Sequence, residues 1–299
     1  MCKNITNKYL NIPRIKEMRH KINTCKDNPK LFIETIILPN DVNINIIQDG
    51  VLLIGTKQRV VVPFIKKILQ TNKDITTLVY AGTHDGIGTV SVAYAAYRLG
   101  LKSEVYLSGK VDINSRPLAT LHALNANIML CSTFKQARIL KNNNCLLFKE
   151  PSTASKKYFI CPMGLNDSKG TMIKLLASQI KKAANNTLLN KIENPRIWLI
   201  TGTGSTAMSI LKAFPNAYLF ILPIGGDKYK NIVREWAKTQ PNVCVIKNEE
   251  LLDNNVNNIT ERKLYYSSVS NYDDLIFPYV KKYATNNDFI WNVTSEDFI

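Results

Sequence analysis

From about residue 75 onward, short apolar runs rich in β-branched and aromatic residues alternate with stretches of helical period. That alternation predicts βα units building a mostly parallel sheet. Strands are expected at residues 77–80, 103–107, 127–131, 145–148, 197–201, 217–223 and 243–247. Helices are expected between them at 90–99, 116–124, 134–141, 168–184, 205–213 and 230–238, with Gly100 as the C-terminal stop of the first. The first 45 residues are polar and basic, and their mixed pattern predicts an irregular lead-in wrapped on the core. Residues 142–144 read as a turn, and 185–194 and 253–258 as loops. There is no internal repeat and no long low-complexity linker, so a second domain is expected to be inserted within the first.

With 299 residues, 45% of them apolar, the chain buries a real core in one or two domains, which excludes disorder for its bulk. Cysteines at 2, 25, 131, 145, 161 and 244 are scattered, with no Cys-x-x-Cys pair and no nearby histidine. Neither a zinc cage nor a disulfide framework is expected, and reduced thiols in a cytosol are the simple reading. No apolar run approaches the roughly 18 residues of a membrane span, and residues 1–6 lack the apolar stretch of a signal peptide, so a soluble, cytoplasmic protein is expected. Lysine and arginine (39) exceed aspartate and glutamate (23) by 16, a balance that attracts nucleic acid, anionic cofactors or acidic partners. An AT-rich coding sequence explains the lysines, but less easily the shortage of carboxylates.

Three segments carry candidate chemistry. In Ile200-Thr201-Gly202-Thr203-Gly204-Ser205-Thr206-Ala207 an apolar run meets a Gly/Ser/Thr loop and then a helix, which converges N–H groups and hydroxyls on an anion at the positive helix end. The segment lacks the Gly-Lys-Ser/Thr of a P-loop and the third glycine of the dinucleotide fingerprint. A capped strand-to-helix turn is the bland alternative. Val79-Tyr80-Ala81-Gly82-Thr83-His84-Asp85-Gly86-Ile87-Gly88-Thr89 is a second glycine-rich turn, whose composition suits gripping a carboxylate or placing an acid or base. A hydrogen-bonded His–Asp turn is its bland counterpart. In Leu52-Leu53-Ile54-Gly55-Thr56-Lys57-Gln58-Arg59-Val60 a lysine stands among apolar residues, where a lowered pKa makes the amine nucleophilic towards an aldehyde. In a lysine-rich chain, solvated surface charge is the competing reading.

Gly55-Thr56-Lys57-Gln58-Arg59 resembles the Gly-Gly-Asn/Thr-Lys-x-Arg-Lys motif of fold-type-II pyridoxal-phosphate enzymes, particularly the aminocyclopropane-carboxylate deaminase and D-cysteine desulfhydrase group. Residues 82–100 are similar in outline to that group's substrate loop and alanine-rich helix. Pro162-Met163-Gly164-Leu165-Asn166 is similar to its Pro-x-Gly-Gly return from the small domain, and residues 201–207 to its phosphate loop. The match spans about residues 48–225. It implies an α/β fold of two domains with mostly parallel sheets (tryptophan synthase β-like), residues 1–65 and 166–299 forming the large domain and 66–165 the inserted one. It implies pyridoxal 5′-phosphate as cofactor. Lys57 would carry its aldehyde as a Schiff base and later shuttle the Cα proton, and Gly202, Thr203, Gly204, Ser205 and Thr206 would hold its phosphate. The loop with Thr83, His84, Gly86, Gly88 and Thr89 would lie against the substrate carboxylate.

Two departures bear on chemistry. Where the deaminase group has Ser-Asn-His, this chain has Gly86-Ile87-Gly88, so His84 and Asp85 would take over the polar role. Phe277-Pro278-Tyr279-Val280-Lys281 matches the family's Pro-Val-Tyr-x-Gly-Lys weakly, leaving Asn292 or Thr294 as a neutral partner for the pyridine nitrogen and a milder electron sink. The implied activity is a lyase of a cytosolic or virus-encoded enzyme acting at the Cα of an amino acid or amino-acid-like group, by elimination, deamination or decarboxylation. A homodimer is implied as well. The basic balance adds a sharper version in which that group is attached to a nucleic acid. Two other classes stand beside it: a relative that kept the fold and lost the chemistry, and a nucleotide-binding Rossmann-type enzyme.

Overall fold

The computed structural model describes residues 3–4, 12–84, 86–109, 112, 115–133, 135, 157–165, 167, 169–246 and 273–294. The strand expected at 145–148, the turn at 142–144, the loop at 253–258 and all but one residue of the helix at 134–141 lie outside them. The chain divides into two compact units, Met1–Asp27 with Lys57–Met172, and Asn28–Thr56 with Ile173–Phe298.

The first unit is built on a five-stranded sheet in the order β1 (Lys3–Asn4), β6 (Asn127–Cys131), β5 (Lys102–Ser108), β4 (Ile75–Thr83), β7 (Lys157–Ile160). All neighbours are parallel except β1, which pairs antiparallel with β6. The near-continuous burial of β4 is that of a central parallel strand covered on both faces. Helix α3 (Ile87–Arg98) is buried from Thr89 to Ala96, and its alanines at 93, 95 and 96 let it lie close on β4 and β5. It ends as expected at Gly100, whose φ of +68° and the bonds Gly100 N→Tyr97 O and Leu101 N→Ala96 O form a left-handed cap.

The expected boundaries differ from the observed ones at the N-terminus. Part of the lead-in is a helix, α1 (Ile12–Thr24), which packs on α4 (Arg116–Ala123). Arg19 Nε donates to Ala123 O (3.4 Å) and its Nη2 to Asn125 Oδ1 (3.2 Å). Residues 57–65 also belong here, because α2 (Val61–Thr71) packs on α3.

The second unit holds a six-stranded sheet in the order β10 (Val243–Val245), β9 (Tyr218–Pro223), β8 (Arg196–Thr201), β11 (Asp288–Asn292), β3 (Asn43–Gln48), β2 (Ile33–Ile37). Every pair is parallel except β2 with β3. Its core gathers Ile44, Ile46, Trp198, Leu222, Phe277, Val280 and Ile290, with Trp198 stacked on Phe220 at 4.2 Å. Buried Asp288 fixes the base of this sheet. It accepts from Arg196 Nε (2.8 Å), Trp198 Nε1 (2.7 Å) and Thr285 Oγ1 (2.9 Å). Among the described residues, no helix is long and apolar enough to cross a membrane.

Candidate active site

Three adjacent parallel strands of the second unit, β3, β11 and β8, deliver candidate residues at their carboxyl ends. After β3 the chain turns through residues 49–56 and reaches Lys57. β11 ends at Asn292, in register with Gln48 of β3. β8 ends at Thr201 and runs into Gly202-Thr203-Gly204, then the helix Ser205–Ala213. Because β11 lies between the other two, Asn292 stands between the lysine-bearing turn and the glycine loop. Two strand spacings, roughly 10 Å, separate β3 from β8. Crevices of this kind, outside the carboxyl ends of parallel strands, are where open α/β sheets take ligands.

The turn before Lys57 is pinned to the end of β11. Gly55 has a φ of +61°, and a Cβ there would overlap the Val293 carbonyl oxygen, with the carbonyl carbon at 3.4 Å. Thr56 N donates to the same Val293 oxygen (3.1 Å). The Trp291 indole N–H is shared between Asp49 Oδ2 (3.2 Å) and Thr56 Oγ1 (3.1 Å), all of them buried. On the opposite face of β11, fully buried Asn292 donates from Nδ2 to Gln48 Oε1 at 3.0 Å.

The glycine loop fits a phosphate monoester. A Cβ on Gly202 would meet no atom within 4 Å, so the backbone there borders open space. Gly204 caps the helix in the left-handed region (φ 83°, ψ −11°) without any side-chain cap bond, which leaves the first-turn N–H groups to a ligand. The Thr203 and Ser205 hydroxyls stand 3.2 Å apart beside it, and Thr206 follows in the first turn. The next loop along the sheet, Gly225-Gly226 after β9, borders open space too.

In the first unit, Lys57 is half-buried, and burial holds its ammonium below the ordinary lysine range. The next residue, buried Gln58, donates from Nε2 to Lys26 O at 2.7 Å. The loop between β4 and α3 carries the remaining candidates. His84 donates from its backbone N to Ser108 O (3.1 Å), and its Nδ1 lies 3.4 Å from the same oxygen. Exposed Thr83 accepts at its carbonyl from Gly86 N (3.1 Å). Gly86 and Gly88 open α3, and buried Thr89 directs its hydroxyl at the Gly86 carbonyl (2.8 Å). Asp85 lies outside the described residues.

No protein-family model matches the sequence, and no curated protein matches it. Solved structures do. Diaminopropionate ammonia lyase from Escherichia coli, in its apo form, matches with a TM-score of 0.63 at 12% identity, over 98% of this chain and 92% of that one. An ACC deaminase homologue matches at 0.61 and 15% identity over 95% of each chain. A pyridoxal 5′-phosphate-dependent aspartate racemase matches at 0.57 and 11% identity over 97% of each. The chain has the fold of the fold-type-II pyridoxal-phosphate enzymes. Within that fold-type-II frame, sequence reasoning had singled out Lys57, residues 202–206 and Asn292, and the second unit's sheet brings the lysine-bearing turn, the loop and Asn292 to one edge. It had passed over Asp49, Gln58, Tyr80 and Trp291. Only the pairing of β3 with β11 makes Asp49 and Trp291 neighbours, 242 positions apart in sequence.

Proposed function

We propose that this chain is a pyridoxal-phosphate-dependent lyase acting at the Cα of an amino acid or amino-acid-like group, by elimination, deamination or decarboxylation. The carrying observation is the convergence of the Gly55–Thr56 turn, Asn292 and the Gly202–Thr206 loop at the carboxyl ends of three neighbouring parallel strands. Pyridoxal phosphate, when bound, supplies an aldehyde for an amine and a ring that draws electron density from Cα. The backbone N–H groups and hydroxyls of Gly202, Thr203, Gly204, Ser205 and Thr206 hold the phosphate. Lys57 Nζ, with its ammonium destabilised by burial, is neutral in a larger fraction than a surface lysine, so it can attack an aldehyde and accept a proton from Cα. Asn292 offers the ring nitrogen a neutral carboxamide, which stabilises a protonated ring less than a carboxylate would. Thr83, His84, Gly86, Gly88 and Thr89, in the loop before α3, receive the substrate carboxylate, and His84 and Asp85 take the polar catalytic role.

Titration with pyridoxal phosphate tests this reading. A saturable visible absorbance band is expected in the native chain and is lost in Lys57→Ala while the fold is retained. A panel of amino acids, assayed for released ammonia, sulfide or carbon dioxide, then identifies the bond broken. A coloured protein that turns over nothing indicates a relative without the chemistry. A colourless one retained on an NAD or ATP analogue indicates a nucleotide enzyme.

The net charge of +16 favours a second version, in which the amino-acid group is carried on a nucleic acid held by its phosphate backbone. Affinity for DNA or RNA should then fall steeply with salt. Negligible binding at low salt, or rapid turnover of free amino acids, removes it.

A further inference from the structure

Three glycines around the β4–α3 loop, Gly82, Gly86 and Gly88, are absent from the chain's positive-φ glycines. Backbone conformation therefore does not require glycine at these positions; space does. A Cβ on Gly88 would overlap the Tyr80 hydroxyl and lie 2.8 Å from Tyr80 Cζ and 2.9 Å from Cε1. One on Gly82 would lie 3.2 Å from Tyr80 Cε1 and 2.8 Å from Thr89 Cγ2. One on Gly86 would lie 2.8 Å from Thr83 Oγ1. The Tyr80 ring occupies the volume a side chain at 88 would fill, and it shares with the Thr89 methyl the volume a side chain at 82 would fill.

The hydroxyl of that ring reaches a third segment. Tyr80 Oη accepts from Gly164 N at 3.3 Å and lies 3.3 Å from Met163 Sδ, in a turn where Gly164 has a φ of +65°. Tyr80 thus joins β4, the first turn of α3 and the Met163–Leu165 turn, while remaining 3% exposed. A ring with two stiff torsions, approached by both glycines along its Cδ1–Cε1 edge and tied at its tip, restrains a glycine-rich segment that has little stiffness of its own.

We propose that Tyr80 is the positioning residue of the substrate loop: its ring stands in for the side chains missing at 82 and 88, and its hydroxyl locks the loop to the Met163–Gly164 turn. The word "substrate" rests on the function proposed above; the brace itself does not. The consequence is a loop whose carboxylate-binding N–H groups are set before a ligand arrives.

The test uses the full chain with four variants: Tyr80→Phe, Tyr80→Leu, Gly88→Ala and the pair Gly88→Ala/Tyr80→Leu. Amide hydrogen exchange, mapped by peptide, is read first, with no cofactor needed. Gly88→Ala should speed exchange across 86–89 and 162–165, and the pair should return 86–89 towards wild type, because the clash is with the ring. Tyr80→Phe should speed exchange chiefly at 162–165, by roughly tenfold, as expected for one lost hydrogen bond. On protein loaded with pyridoxal phosphate, L-serine and D-serine then serve as probes of the loop. Tyr80→Phe should raise KM for the serine that is turned over by about tenfold and leave kcat within about twofold, the signature of lost binding common to ground and transition states. Wild-type exchange in Gly88→Ala, or a pair no better than Gly88→Ala alone, overturns the brace. An equal fall in kcat with unchanged KM overturns its positioning role. Failure to take up pyridoxal phosphate overturns the function proposed above and leaves the exchange arms to judge Tyr80.

Discussion

Gly55→Ala is the sharpest probe of how the lysine-bearing turn is held. Two costs add. Alanine at a φ of +61° carries the left-handed penalty, about 1 kcal/mol. The new methyl also overlaps the Val293 carbonyl oxygen, which is backbone and is itself held by accepting from Thr56 N at 3.1 Å. The turn must therefore move away from β11, giving up that bond and leaving a buried N–H, for about 1–3 kcal/mol more. A loss of roughly 2–4 kcal/mol is expected. Gly100→Ala is the control: its φ of +68° is nearly the same, yet a Cβ there meets nothing within 4 Å, so it should lose about 1 kcal/mol only. Equilibrium denaturation followed by far-UV circular dichroism compares the two, and the midpoint of Gly55→Ala should fall two to four times as far. Equal losses would mean that the turn is not pinned to Val293.

Removing the carboxylate of Asp288 strands the buried Trp198 indole N–H and unpairs the half-exposed Arg196, so Asp288→Ala should cost about 2–4 kcal/mol by the same assay. A loss under about 1 kcal/mol would show that these bonds are dispensable. His122 should make stability depend on pH. Burial lowers its pKa below the ordinary value of 6.5, and its Nε2 has no hydrogen-bond partner among the described residues. The unfolded chain therefore binds the proton more readily than the folded one. This contribution to stability is complete above about pH 6.5 and is lost as pH falls towards the lower folded pKa. His122→Leu should flatten the slope below about pH 6.5, and an unchanged slope would contradict the assignment.

Much of this fold is legible in the sequence because its central strands are apolar on both faces and its helices are amphipathic. Residues 127–131 and 205–213 are found where the pattern put them, and β4, β5 and β8 extend expected runs by one to three residues at an end. The N-terminal elements are hidden for a physical reason. Among the described side chains of α1 only Met18 and Ile22 are deeply buried, too narrow a stripe to show a helical period. β3 buries Asn45 and Gln48 as well as its isoleucines, each amide paired across the sheet, so alternation is lost in Asn43-Ile44-Asn45-Ile46-Ile47-Gln48. The site shows the same division. Lys57 and residues 202–206 carry local signatures, since a glycine-rich turn at a helix start is a property of consecutive residues. Tyr80, Asp49 and Trp291 carry none. Their importance depends on which glycine or hydroxyl lies beside them after folding, and a tyrosine in a strand looks the same whether or not a glycine has made room for it.

The central proposal is that Lys57 is the residue that takes the aldehyde of pyridoxal phosphate. Borohydride reduction of the chain mixed with pyridoxal phosphate, followed by peptide mass mapping across pH, tests it most directly. One adduct, on Lys57, should dominate and form at lower pH than adducts on surface lysines, because burial keeps this amine neutral there. Gly202→Val, which fills the open space beside the loop, should weaken that adduct without unfolding the chain. Adducts spread evenly over the chain's lysines, unchanged in Lys57→Ala, would contradict the account.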